Sequence, residues 1–396
     1  MVHLIEKEVE IMKQQSLKKW IYSAVTIMSV GVLAACSSTT SSTTSSSSSS
    51  QVTTASSSSS ASSSSSESTS SIDWSALPMT EVSLTDEGLT ITEGGTYVLT
   101  GSTTGGVTVE TDANVRIILA GATISSSDTA AINVISADNV EIELQDGTEN
   151  TVKDSSTHSD TNIEGAIHVE ADLTITGNGS LTVEGNFQDG IVSTDDMVIN
   201  AGNIKVTAAD DGIRGKDSMT INGGTIDVTV GGDGIKSTND SDTTKGYTTI
   251  TGGTITVAAG DDGIKAEMAL TIDGGDITVS ESLEALEGTN ITINGGTLDV
   301  YGADDAINAA STISTDIFIK VTGGDLKVAV GSGDTDAFDA NGDIYISGGT
   351  IDVTAPTSAF DFDGTAELTG GTVTVNGEQI TQITATGPGA GGHGGW

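Results

Sequence analysis

Over most of its length the chain alternates apolar and polar residues in short runs, and no run repeats its apolar residues at helical spacing. Met219 and Ile221, then Ile226 and Val228, are typical: one residue in two is apolar, which marks a strand with a single buried face. Glycine pairs punctuate the runs. The unit recurs as Gly223-Gly224-Thr225-Ile226-Asp227-Val228, Gly252-Gly253-Thr254-Ile255-Thr256-Val257, Gly274-Gly275-Asp276-Ile277-Thr278-Val279 and Gly295-Gly296-Thr297-Leu298-Asp299-Val300.

Successive second glycines fall at 202, 224, 253, 275, 296, 324, 349 and 371, so the steps are 22, 29, 22, 21, 28, 25 and 22. A base period of about 22 with loop insertions is too short for a strand-helix-strand unit and suits one coil of an all-β, parallel β-helix. A β-propeller blade needs about 40 residues and four strands, so the spacing disfavours it. Stacking converts repeat positions into columns about 4.8 Å apart per step. Ile213, Ile235, Ile264, Leu286, Ile307 and Phe338 are predicted to form one inward column, and Ile221, Ile250, Ile272, Ile293, Val321, Ile346 and Leu368 another. Phe338 and Phe360 then read as core residues. Of the outward aromatics, Tyr247 and Phe318 share a column while Tyr301 and Tyr345 fall in others, too sparse for a flat stacking platform.

Charge narrows the partners. Fourteen Lys and Arg against 55 Asp and Glu give a net −41, which repels a phosphate backbone and excludes nucleic acid as the expected partner. The one cysteine, Cys36, cannot form an intramolecular disulfide. Lys13, Lys18 and Lys19 precede an apolar run from Ile21 to Leu33, of signal-peptide length, which ends in Leu33-Ala34-Ala35-Cys36. That tetrapeptide resembles the lipobox of bacterial lipoproteins, where the cysteine is acylated and becomes the mature N-terminus. Met12 suits a translation start better than Met1, because Glu6, Glu8 and Glu10 fit a signal n-region badly. Residues 36–71 are nearly all Ser and Thr and have no apolar surface to offset chain entropy, so they are expected to be a flexible tether. The expected organisation is a signal segment (1–35), this tether (36–71), a β-helix (72–386) and a Gly-rich tail (387–396). Attachment to the outer face of the cell membrane would run through the N-terminal lipid alone.

The candidate chemistry lies at an acidic-Gly-Ile corner. Aligning the repeats puts Asp189, Asp211, Asp233, Asp262, Glu284, Asp305 and Asp336 in one column, with Asp210, Asp261 and Asp304 beside three of them. Neighbouring carboxylates about 4.8 Å apart repel by about 0.9 kcal/mol in water and about 3.5 kcal/mol at an effective dielectric of 20. Two offsets are open. Each Asp can accept hydrogen bonds from turn N–H groups, or calcium can bind, since a hard cation takes six to eight oxygen ligands. The insertion Ser237–Asp242 adds Asp240 and Asp242 as further oxygen donors. Transition metals lack ligands, because His158, His168 and His393 are scattered. Next to the column, Arg214, Lys236 and Lys265 occupy one outward position on three repeats. They either neutralise the acids locally or meet the carboxylates of an acidic polysaccharide. A hydrolase-type carboxylate pair is needed once, whereas the Asp-Asp pair recurs, so repetition argues for structure over catalysis.

The stretches Asp210-Asp211-Gly212-Ile213-Arg214-Gly215-Lys216, Gly232–Asp240, Thr244–Tyr247 and Gly260–Glu267 resemble a family of bacterial carbohydrate-binding domains over roughly residues 80–385. The resemblance implies a right-handed parallel β-helix similar to that of pectate lyases, bound calcium, and non-catalytic binding of cellulose-like or acidic pectic polysaccharide. Leu283-Glu284-Ala285-Leu286 and Thr335-Asp336-Ala337-Phe338 depart from Asp-Asp-Gly-Ile, which weakens the expectation of a cation on the later repeats. A structural adhesin with a protein ligand, and a polysaccharide lyase or hydrolase, are the alternatives.

Overall fold

The computed structural model describes residues 72–386 apart from 334, so Cys36, the signal segment, the tether and the tail from 387 lie outside the described residues. These residues fall in the second of the chain's two units, Ser70–Trp396. The unit is all-β: 34 strands form a single sheet, and one 3-10 turn, Trp74–Ala76, is the helical element among the described residues.

Consecutive strands do not pair with each other in the repeats; each pairs in parallel with its counterpart one repeat later. Ser218–Ile221 pairs with Tyr247–Ile250, Thr225–Val230 with Thr254–Ala258, and Ile235–Ser237 with Ile264–Ile272. The register follows the repeat arithmetic through the insertions. Ile213 lies opposite Ile235, Ile235 opposite Ile264, Leu286 opposite Ile307 and Ile307 opposite Phe338. Ile221, Ile250, Ile272, Ile293, Val321, Ile346 and Leu368 stack in the second column as expected. The inward residues form one continuous aliphatic core, and Phe338 and Phe360 are buried within it, stacked at 5.2 Å. The 29-residue step is absorbed by the loop before Tyr247, where buried Asn239 donates from Nδ2 to Asp217 Oδ1 at 2.6 Å.

The glycine pairs close one turn of each repeat. Gly275 has φ +101°, a left-handed conformation that a side chain resists, and a Cβ on Gly274 would sit 2.8 Å from the Thr251 carbonyl oxygen of the preceding repeat. Backbone therefore passes against backbone at this column, which is why the pair recurs.

At the C-terminal end the pattern changes. Thr372–Val375 pairs antiparallel with Glu378–Ile380 through Asn376-Gly377, whose φ values of 51° and 84° make the Asn-Gly turn that suits a two-residue hairpin. The chain then runs back beside the strand Ser358–Phe362: Ile383 is buried, and the Thr386 N–H donates to Phe360 O at 2.9 Å.

Candidate functional site

Four of the corner aspartates are each fixed by the next repeat. The Asp211 N–H donates to Asp189 Oδ1 at 3.2 Å, the Asp233 N–H to Asp211 Oδ1 at 2.9 Å, the Asp262 N–H to Asp233 Oδ1 at 2.9 Å, and the Asp336 N–H to Asp305 Oδ1 at 2.7 Å. The carboxylates thus replace a ladder bond at a corner where the backbone turns away from its neighbour. The other oxygens of Asp189, Asp211 and Asp233, and one of Asp262, meet cations. Arg214 pairs with Asp189 Oδ2 at 2.9 Å and with Glu164; Lys236 pairs with Asp233 Oδ2 at 2.9 Å and with Asp211; Lys265 pairs with Asp262 Oδ2 at 2.7 Å and with Glu287. A carboxylate of a ligand would compete with these aspartates for the three basic groups.

The ladder breaks at Glu284. The preceding strand pairing slips by one residue between Val257 and Ala258, and no N–H reaches Asp262 Oδ1. That oxygen receives no N–H, and its side chain, only 3% exposed, is met instead by the Glu284 and Glu287 carboxyls. Oxygens of Asp233, Asp261 and Asp262 lie within 4.8 Å of one another. Glu284 and Glu287 crowd the same spot: burial and contact with Asp262 push Glu284 up to about 9 and Glu287 up to about 8. Burial also raises Asp262, but bonds from the Glu287 and Glu284 carboxyls and the Lys265 ammonium hold it below its usual value. The cluster thus holds either protons or an added cation. An all-oxygen donor set fits a hard cation such as calcium, which Asp233, Asp261 and Asp262 would hold in place of the protons.

The remaining sequence candidates separate. Asp210 is exposed, its carboxyl raised by burial and by Asp211. Asp240 and Asp242 stand on the exposed insertion, outside the cluster, with Asp242 Oδ1 accepting the Thr244 N–H at 2.9 Å. Asp304 is exposed beside half-buried Asp305, which burial followed by Asp304 and Asp336 lifts to about 6. The position occupied by Arg214, Lys236 and Lys265 becomes Glu287, Asn308, Asp339 and Asp361 on later repeats. Asp339, half-buried near Asp305, Asp336 and Asp361, rises to about 7, by desolvation first and then by these like charges.

Glu164 and Glu287 were not among the sequence candidates. Glu287 was within reach, being one repeat of 22 after Lys265; Glu164 sits after an irregular loop that hides its register. That loop is held by His158, stacked on Phe187 at 4.4 Å, with its Nδ1 2.5 Å from Ile163 O. His168 lines a cavity of about 210 Å³ with Glu164, Glu170 and Arg214. Burial, then Arg214, lowers it to about 4, so its ring is neutral at neutral pH.

A family model described as carbohydrate-binding domain-containing protein matches residues 85–337, a span that includes the whole acidic ladder. The chain belongs to this family. A carbohydrate-binding domain-containing protein of Acetivibrio thermocellus is 33% identical over 135 residues, covering 32% of this chain and 47% of the relative, so the chain spans about half the length of the curated relative it matches. A solved structure, that of a polysaccharide lyase-like protein from C. thermocellum as a gadolinium derivative, is similar at TM-score 0.51 and 33% identity, over 56% of this chain and 95% of that one. Within this carbohydrate-binding domain the ladder and the three-aspartate cluster are the best-defined polar constellation.

Proposed function

We propose that this protein is a bacterial surface lipoprotein that binds polysaccharide without turning it over. In this reading the parallel sheet is a right-handed β-helix of about 22 residues per coil, carried on the Ser/Thr tether and anchored through acylated Cys36 at the outer face of the membrane. The ligand is an acidic pectic or cellulose-like polysaccharide, and calcium at Asp233, Asp261 and Asp262 assists its binding. Family membership over the whole ladder carries the reading. It is supported by the crowding of carboxyls on Asp262, which a cation would relieve, and by the recurrence of the carboxylate arrangement on successive coils.

A lyase is the second reading. The lyase-like relative and the neutral His168 beside Arg214 in a 210 Å³ cavity favour it. One experiment separates the two: the full chain is incubated with polygalacturonate in millimolar calcium or in chelator, and both retention and ultraviolet-absorbing product are followed. Calcium-dependent retention with no product is expected. New unsaturated product that disappears in Arg214→Gln would establish the lyase.

A further inference from the structure

A second surface of the sheet is built for a different ligand. Phe318 and Lys320 point outward from the strand Phe318–Val321, and Asp343 and Tyr345 from the strand Asp343–Ile346, while Ile319, Val321, Ile344 and Ile346 between them are buried. Phe318 lies opposite Asp343 and Lys320 opposite Tyr345, so the two aromatic rings are diagonal neighbours on adjacent strands. With Asp316 and Glu367 they line a groove of about 510 Å³, within the range of about 300–1,000 Å³ typical of small-ligand sites.

The groove is organised without a ligand. Tyr345 Oη donates to Asp343 Oδ2 at 2.7 Å, and Asp343 Oδ1 accepts the Thr365 N–H at 2.6 Å, which fixes both the carboxylate and the ring. Those bonds, the Thr365 N–H foremost, hold the Asp343 carboxyl below its usual value. Among the described residues Phe318 and Tyr345 form no ring pair and Lys320 forms no ion pair, and both half-exposed rings line the groove. Three carboxylates against one ammonium leave the groove negative.

From this geometry we infer that the groove is a binding subsite for a pyranose ring of a neutral glycan. Sugar C–H groups carry partial positive charge and meet the negative face of an aromatic ring. Hydroxyls donate to Asp316, Asp343 and Glu367 and accept from Lys320. Excess negative charge turns away a uronate, so of the two ligand types proposed above this groove takes the neutral, cellulose-like one and leaves the acidic pectic one to the calcium-assisted corner. The inference rests on the carbohydrate-binding reading but not on the corner site.

Affinity electrophoresis of the full chain through gels containing hydroxyethylcellulose, galactomannan or polygalacturonate tests it. Retardation by at least one neutral polymer is expected. Tyr345→Ala and Phe318→Ala should each weaken that retardation roughly three- to tenfold, with Tyr345→Phe in between and retention on polygalacturonate unchanged. Both rings face outward, so melting temperatures should match the parent protein and show that the variants are folded. The proposal is overturned if neither neutral polymer retards the parent protein, if the Ala variants run like it, or if they lose polygalacturonate equally. Loss of polygalacturonate binding in Lys236→Gln with the neutral polymer still bound would show the two sites to be separate. Failure on polygalacturonate alone would count against the corner site only.

Discussion

Asp233 carries three roles at once: it accepts the Asp262 N–H, pairs with Lys236, and stands in the oxygen cluster with Asp261 and Asp262. These roles separate on substitution. Asp233→Asn retains an acceptor for the N–H, so its loss of stability should be small; Asp233→Ala leaves that buried donor unmet and should cost about 1–3 kcal/mol in urea unfolding. Both variants should abolish calcium-induced stabilisation. Equal losses from Asn and Ala would show that the hydrogen bond across the coils carries little. The aspartate column itself was legible in the sequence, because turn-favouring Asp at a fixed repeat spacing identifies its own register. The crowding of Glu284 and Glu287 on Asp262 was not, since it follows from a one-residue slip after Val257 that only packing decides. For the same reason the departure at Leu283–Leu286, read from sequence as weakening the expectation of a cation on the later repeats, falls where the two glutamates gather on Asp262.

The strand columns were the most legible level, because a side-chain period of two and a repeat of fixed length leave little freedom of register. Outward positions carry no such constraint, and so Phe318 and Tyr345, assigned from sequence to separate columns, line one groove. Stacking also dictates a pH response. Burial raises Asp189 and Asp339 to about 7 and Asp305 to about 6, so the folded state keeps protons that the unfolded chain sheds near pH 4. Stability therefore falls as pH climbs from about 4 through about 7, the reverse of an ordinary salt-bridged carboxylate. Calcium-free melting temperature should drop by several degrees over that interval, and a flat or rising profile would contradict the burial of these groups. Calcium should restore most of the loss at the alkaline end, by about 2.7 kcal/mol at a hundredfold excess over its Kd. Identical melts in calcium and in chelator at pH 8 would leave the hydrogen-bonded ladder as the sole offset to the repulsion.

For the protein as a unit, attachment and reach matter more than any one contact. Acylation of Cys36 is the proposed route to the membrane, and no helix among the described residues is long and apolar enough to cross one. Cys36→Ala should therefore appear in the culture medium, and a variant that stays detergent-extractable would refute the anchor. Weak contacts repeated along a stiff sheet favour polymers over their monomers, because several contacts share one ordering cost. None of this was visible in the final coil, where the hairpin through Asn376-Gly377 and the return of Ile383 and Thr386 cover the last parallel strands. A parallel strand repeat has no intrinsic stopping point: its terminal strands present the same row of donors and acceptors that paired every previous repeat. The antiparallel segment closes the edge of Thr372–Val375 with a strand that the parallel repeat cannot copy. Deleting residues 376–386 should accordingly convert a dispersed protein into one that polymerises end to end, at a rate set by its concentration.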